Sequence, residues 1–199
     1  MDTDSKQAFS WYKVYGPHIA QLYANTRIHD QISGLGHYFN PRQTLDHKLN
    51  LASVNFELAQ SIPRVVEYLA PAAPAWEAIA AHEERLQEIL LGFLNSRPDR
   101  FRVIGTSSAS RAVRVPVVSF VVTGVKSREV VEWVAKRTQG RLGIRNGHMY
   151  SHRLLGEVVQ LGEMEDGVVR VSMLHYNTEE EMKAVVDALQ EVIQAYPAL

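Results

Sequence analysis

Lys13 and Arg170 are two side chains of this sequence whose chemistry could act on a small molecule. Lys13 lies in an aromatic stretch, Ser-Trp-Tyr-Lys-Val-Tyr, that ends at Gly16-Pro17. A lysine amine is a nucleophile toward carbonyl groups, and the same amine can carry a proton. Arg170 lies in a β-branched stretch, and a guanidinium can hold both oxygens of a carboxylate. Both residues also fit surface positions, Lys13 in a solvated loop and Arg170 in an ion pair at a strand end.

Ser53 and Asn55 form a third candidate site, because they come directly before a predicted helix. The first backbone N–H groups of a helix have no partner within it and attract anions. Short polar side chains at this point can cap the helix or help to bind such an anion. The sequence allows both roles.

The eight histidines do not predict a metal site. His29, His37 and His47 show no HxxxH or HxH spacing with a carboxylate. His148 and His152 are the one pair with the four-residue spacing of ligands on a helix. We expect polar or loop histidines and no bound metal.

The composition excludes several classes of protein. The chain has 199 residues, 46% hydrophobic and 22% charged, which is typical of a globular protein with a real core. A net charge of -1 gives no basic excess for binding nucleic acid. The absence of cysteine excludes disulfides, cysteine-ligated metals and thiol chemistry in this chain. The sequence also lacks the apolar runs of a signal peptide or membrane span, so we expect a cytoplasmic protein.

The first half of the chain combines short strands with a long connection. Residues 8–15 predict a strand that enters a tight loop, and residues 19–23 predict a second strand. Residues 25–50 have no sustained period. A helix begins at Asn55, and Pro63 would kink or interrupt it.

From residue 75 onward, helices and strands alternate. The clearest amphipathic helix covers residues 75–95. The remaining predicted elements are strands at 101–104, 115–122 and 168–175 and helices at 127–138 and 178–196. The last helix opens with Thr178 and Glu181 in the positions of a capping box. We therefore expect an α/β fold whose small C-terminal domain has a mixed or antiparallel sheet with helices on one face.

Three parts of the chain resemble the class V aminotransferase and cysteine-desulfurase-like family of pyridoxal-phosphate (PLP) enzymes. Ser10 to His18 resembles the family's lysine loop. Leu49 to Glu57 resembles the stretch before a helix near the active site, with Ala52-Ser53 in place of a Gly-Thr pair. Gly143 to Tyr150 and Val168 to Glu181 resemble the signature stretches of the small domain. Together these likenesses span nearly the whole chain.

The resemblance implies a fold and a role for each candidate residue. Residues 1–98 would be a remnant of the large domain with the lysine loop, and residues 99–199 the small α/β domain. Lys13 would form the Schiff base with PLP and move a proton at the substrate Cα. Ser53 and Asn55 would contact the cofactor phosphate across a dimer interface. The residues implied to bind an amino-acid-like substrate are Arg170, which clamps its carboxylate, Arg145 and His148.

The resemblance also limits the reaction. Desulfurases carry a nucleophilic cysteine in the small-domain loop, and Tyr150 lies near that place here. Without a thiol no persulfide can form, which leaves transaminase, epimerase or lyase types of reaction.

A complete PLP site needs groups that lie before the lysine in this family, among them a phosphate-binding turn, a ring-stacking residue and an aspartate on the ring nitrogen. Only twelve residues precede Lys13 here. We therefore expect full PLP chemistry to need a partner that provides the large domain. We expect the chain to form a homodimer or to bind such a large-domain partner. Two alternatives stay open: a stand-alone relative that reuses the Lys13/Arg170 cleft as a PLP-independent enzyme or small-molecule binder, and a non-catalytic dimerisation module.

Overall fold

The structure is a computed structural model that describes residues 6–34, 36, 38–39, 44–49, 53–70, 75–158, 160–161 and 164–197. Its contacts divide the chain into two compact units, Met1–Ala75 and Trp76–Leu199. The fold class is α/β with antiparallel sheets, as predicted. The long amphipathic helix is grouped with the second unit, because it packs against that unit's last helix and first strand. The domain boundary expected at 98/99 stays a prediction. Among the described helices, none is long and apolar enough to cross a membrane.

The first unit begins with an antiparallel hairpin. Strand β1 (Lys6–Ser10) runs into a 3-10 turn (Trp11–Lys13), and the chain returns as β2 (Ala20–Ala24). The other elements of this unit are α1 (Thr26–His29), α2 (Leu45–Leu49) and α3 (Phe56–Leu69).

Two expectations for the first unit change with the structure. The connection at 25–50 contains the short helices α1 and α2. Helix α3 continues through Pro63, where the ring removes a single backbone donor. Ala52, His37 and the Pro71–Pro74 segment lie outside the described residues.

The second unit contains a four-stranded sheet and three long helices. Its elements are α4 (Trp76–Ser96), β3 (Phe101–Ile104), β4 (Val117–Val122), α5 (Ser127–Arg137), β5 (Arg145–Gly147), a π-helical segment (Leu154–Val158), β6 (Val168–Ser172) and α6 (Glu179–Ala195). The strand order is β3-β4-β6-β5, and every neighbouring pair is antiparallel.

One face of this sheet builds the core of the second unit. Side chains alternate between faces along a strand, and Val118 and Phe120 in β4 share a face with Val171 in β6. These side chains are fully or almost fully buried. They form one apolar cluster with buried residues of all three helices, such as Leu90 in α4 and Leu189 in α6. The helices therefore cover one face of the sheet, as predicted.

The second face of the sheet carries three arginines, Arg102 on β3, Arg145 on β5 and Arg170 on β6, and we call it the arginine face. Arg170 is paired in register with Arg145 on one side and with Ser119 of β4 on the other. Directly paired residues of antiparallel strands point to the same face. The sheet thus turns its core-forming residues to the helices and these three arginines away from them.

The capping box at α6 has the predicted geometry. The Thr178 hydroxyl accepts from the Glu181 backbone N–H at 3.1 Å, and the Glu181 carboxylate accepts from the Thr178 backbone N–H at 2.9 Å. The Asn177 side-chain amide also donates to this carboxylate, at 3.1 Å. These bonds, with that from Thr178 the strongest, hold the pKa of Glu181 below its ordinary value.

We expect replacement of Glu181 by glutamine to lower the free energy of unfolding by about 0.5–1 kcal/mol at neutral pH. Because the pKa of Glu181 is lowered on folding, the charged carboxylate stabilises the fold above the unfolded-state pKa. This contribution disappears as the pH falls through the folded-state pKa. Urea unfolding over a series of acidic pH values should therefore show the wild type and Glu181→Gln converging. Glu180→Gln, in the same turn, is the matched control, and an equal difference at every pH would contradict the prediction.

Gly167 allows the backbones of β5 and β6 to approach closely at Gly147. It is buried with a φ of 63°, and it lies against Gly147, whose φ is 124°. A Cβ on Gly167 would overlap the carbonyl group of Gly147 and the backbone nitrogen of His148. We expect Gly167→Ala to destabilise the protein by about 2 kcal/mol in urea unfolding, because it combines backbone strain with a clash against main chain.

Two other glycines separate these causes. Gly124 has a φ of 78° but open space around a Cβ, so its alanine variant reports strain without a clash. Gly92 lies in α4 with open space and an ordinary φ, and its alanine variant should be neutral or stabilising. If Gly167→Ala loses no more stability than Gly124→Ala, a clash at Gly167 does not contribute and the prediction is wrong.

Candidate functional site

The loop that carries Lys13 is built around the buried side chain of Trp11. The Trp11 indole N–H donates to the Gln21 side chain at 3.1 Å, and its backbone N–H donates to the carbonyl of Ile19 at 2.8 Å. The Trp11 carbonyl accepts from the backbone N–H groups of Val14 and Gly16, at 2.9 and 2.8 Å. The hydrogen bonds of Trp11 therefore hold the two ends of the loop together.

The glycine of the lysine loop, Gly16, is required by its contact with Trp11. A Cβ on Gly16 would lie 2.8 Å from the Cβ of Trp11 and 2.9 Å from its carbonyl oxygen. Tyr15, just before it, has a φ of 69°, which is uncommon for a tyrosine. The turn thus needs a residue without a side chain at position 16.

Lys13 ends the 3-10 turn with its side chain exposed. Its Nζ lies 5.5 Å from the centroid of the Tyr12 ring. Within the described residues the amine has no hydrogen bond or ion pair. It is therefore available to condense with a carbonyl compound.

Asn55 caps helix α3. Its side-chain oxygen accepts from the backbone N–H of Leu58 at 2.9 Å. The capping role that the sequence allowed is thus confirmed. Ser53, two residues earlier, is exposed. Binding of a phosphate at this helix start remains a prediction.

Arg145 and Arg170 lie opposite one another on the arginine face. Like charges on directly paired strand residues repel, so this arrangement costs stability. Arg170 is half-buried, and its Nε is enclosed without a hydrogen-bond partner in the described structure. Among the described residues, neither guanidinium group has an acidic partner. A carboxylate between them would accept hydrogen bonds from the outer nitrogens of the two guanidinium groups and offset the repulsion.

The turn after β5 contains Tyr150, near the place where the family resemblance would put a nucleophilic cysteine. Met149 and Tyr150 both have positive φ, 49° and 62°, and the Tyr150 side chain is fully exposed. The Tyr150 N–H donates to Nδ1 of His148 at 3.2 Å, and the Ser151 N–H donates to its carbonyl at 2.7 Å. Because Nδ1 accepts, a neutral His148 carries its proton on Nε2. The turn therefore offers a phenol and no thiol at this position.

The structure brings together only some of the predicted residues. Arg145 and Arg170 are paired on neighbouring strands, and His148 directly follows the strand that carries Arg145. Lys13 and Asn55 belong to the first unit. Among the described residues no group of histidines and acidic side chains could hold a metal ion.

Sequence reasoning missed two features of the site. The first is the stack of the His18 ring on Tyr12, with centroids 5.1 Å apart. The only indication in the sequence was that Tyr12 and His18 lie close to Lys13. The second is the pairing of Arg145 with Arg170, which follows from a three-residue strand of sequence Arg-Asn-Gly that carries no strand signal.

Comparisons with known proteins match nearly the whole chain. Residues 6–185 match the model of the aminotransferase class-V family. Aminotransferase-like protein FGM3 of Gibberella zeae is 48% identical over 187 residues, which are 94% of this chain and 45% of that protein. Cysteine desulfurase-like protein ustD of Aspergillus flavus is 37% identical and covers 93% of this chain and 42% of that protein.

Solved structures show the same fold at lower identity. A cysteine desulfurase from Thermococcus onnurineus superposes with a TM-score of 0.77 at 20% identity, over 96% of this chain and 47% of that one. The cysteine desulfurase CsdA of Escherichia coli gives 0.74 at 22% identity, over 95% and 46%. This chain spans less than half the length of each of these four proteins.

Proposed function

Because this chain belongs to the aminotransferase class-V family, we propose that it is the lysine-loop and small-domain part of a PLP-dependent enzyme that acts on an amino-acid-type substrate. The observation that carries this proposal is the exposed amine of Lys13, held on a loop anchored at its base and without an acidic partner in the described structure.

The residues of this chain suit two groups of the cofactor, its aldehyde and its phosphate. Lys13 offers the amine for covalent attachment, and the start of α3 at Asn55 offers backbone N–H groups that suit a phosphate. When bound, PLP supplies an aldehyde and an electron-withdrawing ring. The groups that stack on this ring and pair with its nitrogen would come from a large domain, which this chain, at less than half the length of its relatives, does not include.

The arginine face fits the substrate's carboxylate. Arg170 would hold the two carboxylate oxygens with its planar fork, and Arg145 would contribute a second positive charge from the neighbouring strand. His148 would donate from Nε2 to a polar group of the substrate. In the first unit, the amine of Lys13, once released from the cofactor, would serve as an acid or base.

The reaction type narrows to those that need no thiol. Transamination, epimerisation and lyase reactions all use an amine and a carboxylate clamp, whereas desulfuration through a persulfide needs a cysteine that this chain lacks. A PLP-independent binder of small carboxylates is a second candidate, favoured by the Arg145–Arg170 pair, which needs only an anion.

Trapping PLP on the protein tests the proposal. The purified chain is incubated with PLP, reduced with borohydride and digested, and the modified lysines are identified by mass spectrometry. We expect the modification to concentrate on Lys13, because its amine is exposed and has no acidic partner in the described structure. Modification spread evenly over the exposed lysines would overturn the proposal for this chain and leave the carboxylate binder.

A further inference from the structure

Three side chains of the lysine loop form one connected arrangement. The rings of Tyr12 and His18 stack with centroids 5.1 Å apart and an angle of 24° between their planes. The Nζ of Lys13 lies 5.5 Å from the centroid of the same Tyr12 ring. The hydrogen bonds of Trp11 fix the backbone on both sides of these residues.

The geometry gives the tyrosine ring two contacts with different effects. A stacked imidazole restricts rotation of the Tyr12 side chain, which is half exposed and would otherwise turn freely. The face of a tyrosine ring attracts an ammonium group within about 6 Å of its centroid. The ring held by His18 can therefore limit the positions that the Lys13 amine visits.

We propose that Tyr12, held by the stacked ring of His18, is a positioning residue for the amine of Lys13. The stack replaces the acidic partner that would hold a lysine elsewhere. An acidic partner would compete with a carbonyl compound for the amine, whereas a ring face keeps the amine near one place and still lets it react. This inference rests on the proposed function, because it gives Lys13 a reacting role.

The test compares Tyr12→Ala with Tyr12→Phe, which keeps the ring and is the matched control. The first readout is the proton chemical shift of the Lys13 ε-methylene group, which a nearby ring displaces. We expect this displacement in the wild type and in Tyr12→Phe, its loss in Tyr12→Ala and its reduction in His18→Ala. It reports on position and needs no cofactor.

The second readout is the share of borohydride-trapped PLP that is found on Lys13 relative to the exposed Lys136. A ring contact of ordinary strength predicts a two- to five-fold smaller share in Tyr12→Ala, with Tyr12→Phe like the wild type. Backbone amide NMR spectra identify any variant that has lost its fold, and His18→Ala then serves in place of Tyr12→Ala. An unchanged methylene shift in Tyr12→Ala would overturn the inference even if Lys13 is the modified lysine. A wild type without preference for Lys13 would instead overturn the proposed function.

Discussion

Replacement of Lys13 by alanine is expected to reduce the trapping of PLP on this protein to the level of its other exposed lysines, a fall of roughly tenfold or more in specific labelling. Covalent attachment needs a primary amine, and no neighbouring lysine shares the loop that Trp11 anchors. The fold should be unaffected, because the Lys13 side chain is exposed and makes no hydrogen bond in the described structure. Borohydride reduction followed by peptide mass spectrometry measures the effect.

Two matched variants make this result specific. Lys13→Arg keeps the positive charge beside the Tyr12 ring but does not condense with PLP in this way, so it should behave like the alanine variant. Lys136→Ala removes an exposed lysine of the second unit and should leave labelling of Lys13 unchanged. Retained labelling in Lys13→Ala, at any single other lysine, would identify that lysine as the reactive group instead.

Elements with strong local signals could be predicted from the sequence. The strand Phe101–Ile104 has the predicted bounds, and α4 and α6 begin and end within one residue of the predictions. Their patterns are regular over several turns, and α6 carries a capping box in its own sequence. The position of α4 could not be predicted, because its packing on the C-terminal sheet depends on contacts far apart in the chain.

Other contacts of the second unit depend on tertiary structure in the same way. The buried Arg100 donates to the carbonyls of Ile193 and Tyr196 at the end of α6. Asp166 accepts from the backbone N–H groups of Ser127 and Arg128 at the start of α5, at 2.6 and 3.0 Å. Both side chains bind the ends of helices that are far away in the sequence. No local sequence pattern therefore indicates these hydrogen bonds.

The site shows the same division. The lysine loop could be predicted because its residues are consecutive and because the close approach of Trp11 requires a glycine at position 16. Arg170 could be proposed from its motif, but its pairing with Arg145 requires the register of β5, which is fixed by contact between Gly147 and Gly167. Register over three residues is a property of the folded sheet.

Replacement of Arg170 by methionine is expected to have opposite effects on stability and on carboxylate binding. Methionine keeps an apolar stem but removes a charge that faces Arg145 and an enclosed Nε without a partner. The free protein should therefore become more stable by about 0.5 kcal/mol in urea unfolding. Loss of the charged fork should weaken carboxylate binding between about tenfold and a hundredfold.

Thermal unfolding with and without acetate measures both effects, with chloride at equal ionic strength as the reference. Acetate should stabilise the wild type, since a ligand that binds the folded state raises its stability, and it should have little effect on Arg170→Met. Arg102→Met is the matched control, because Arg102 is paired with the uncharged Val121. Arg145→Met should resemble Arg170→Met, and the double variant should gain less than the sum, because a single substitution already relieves the repulsion. A destabilised Arg170→Met that still responds to acetate like the wild type would show that Arg170 serves the fold and not the substrate.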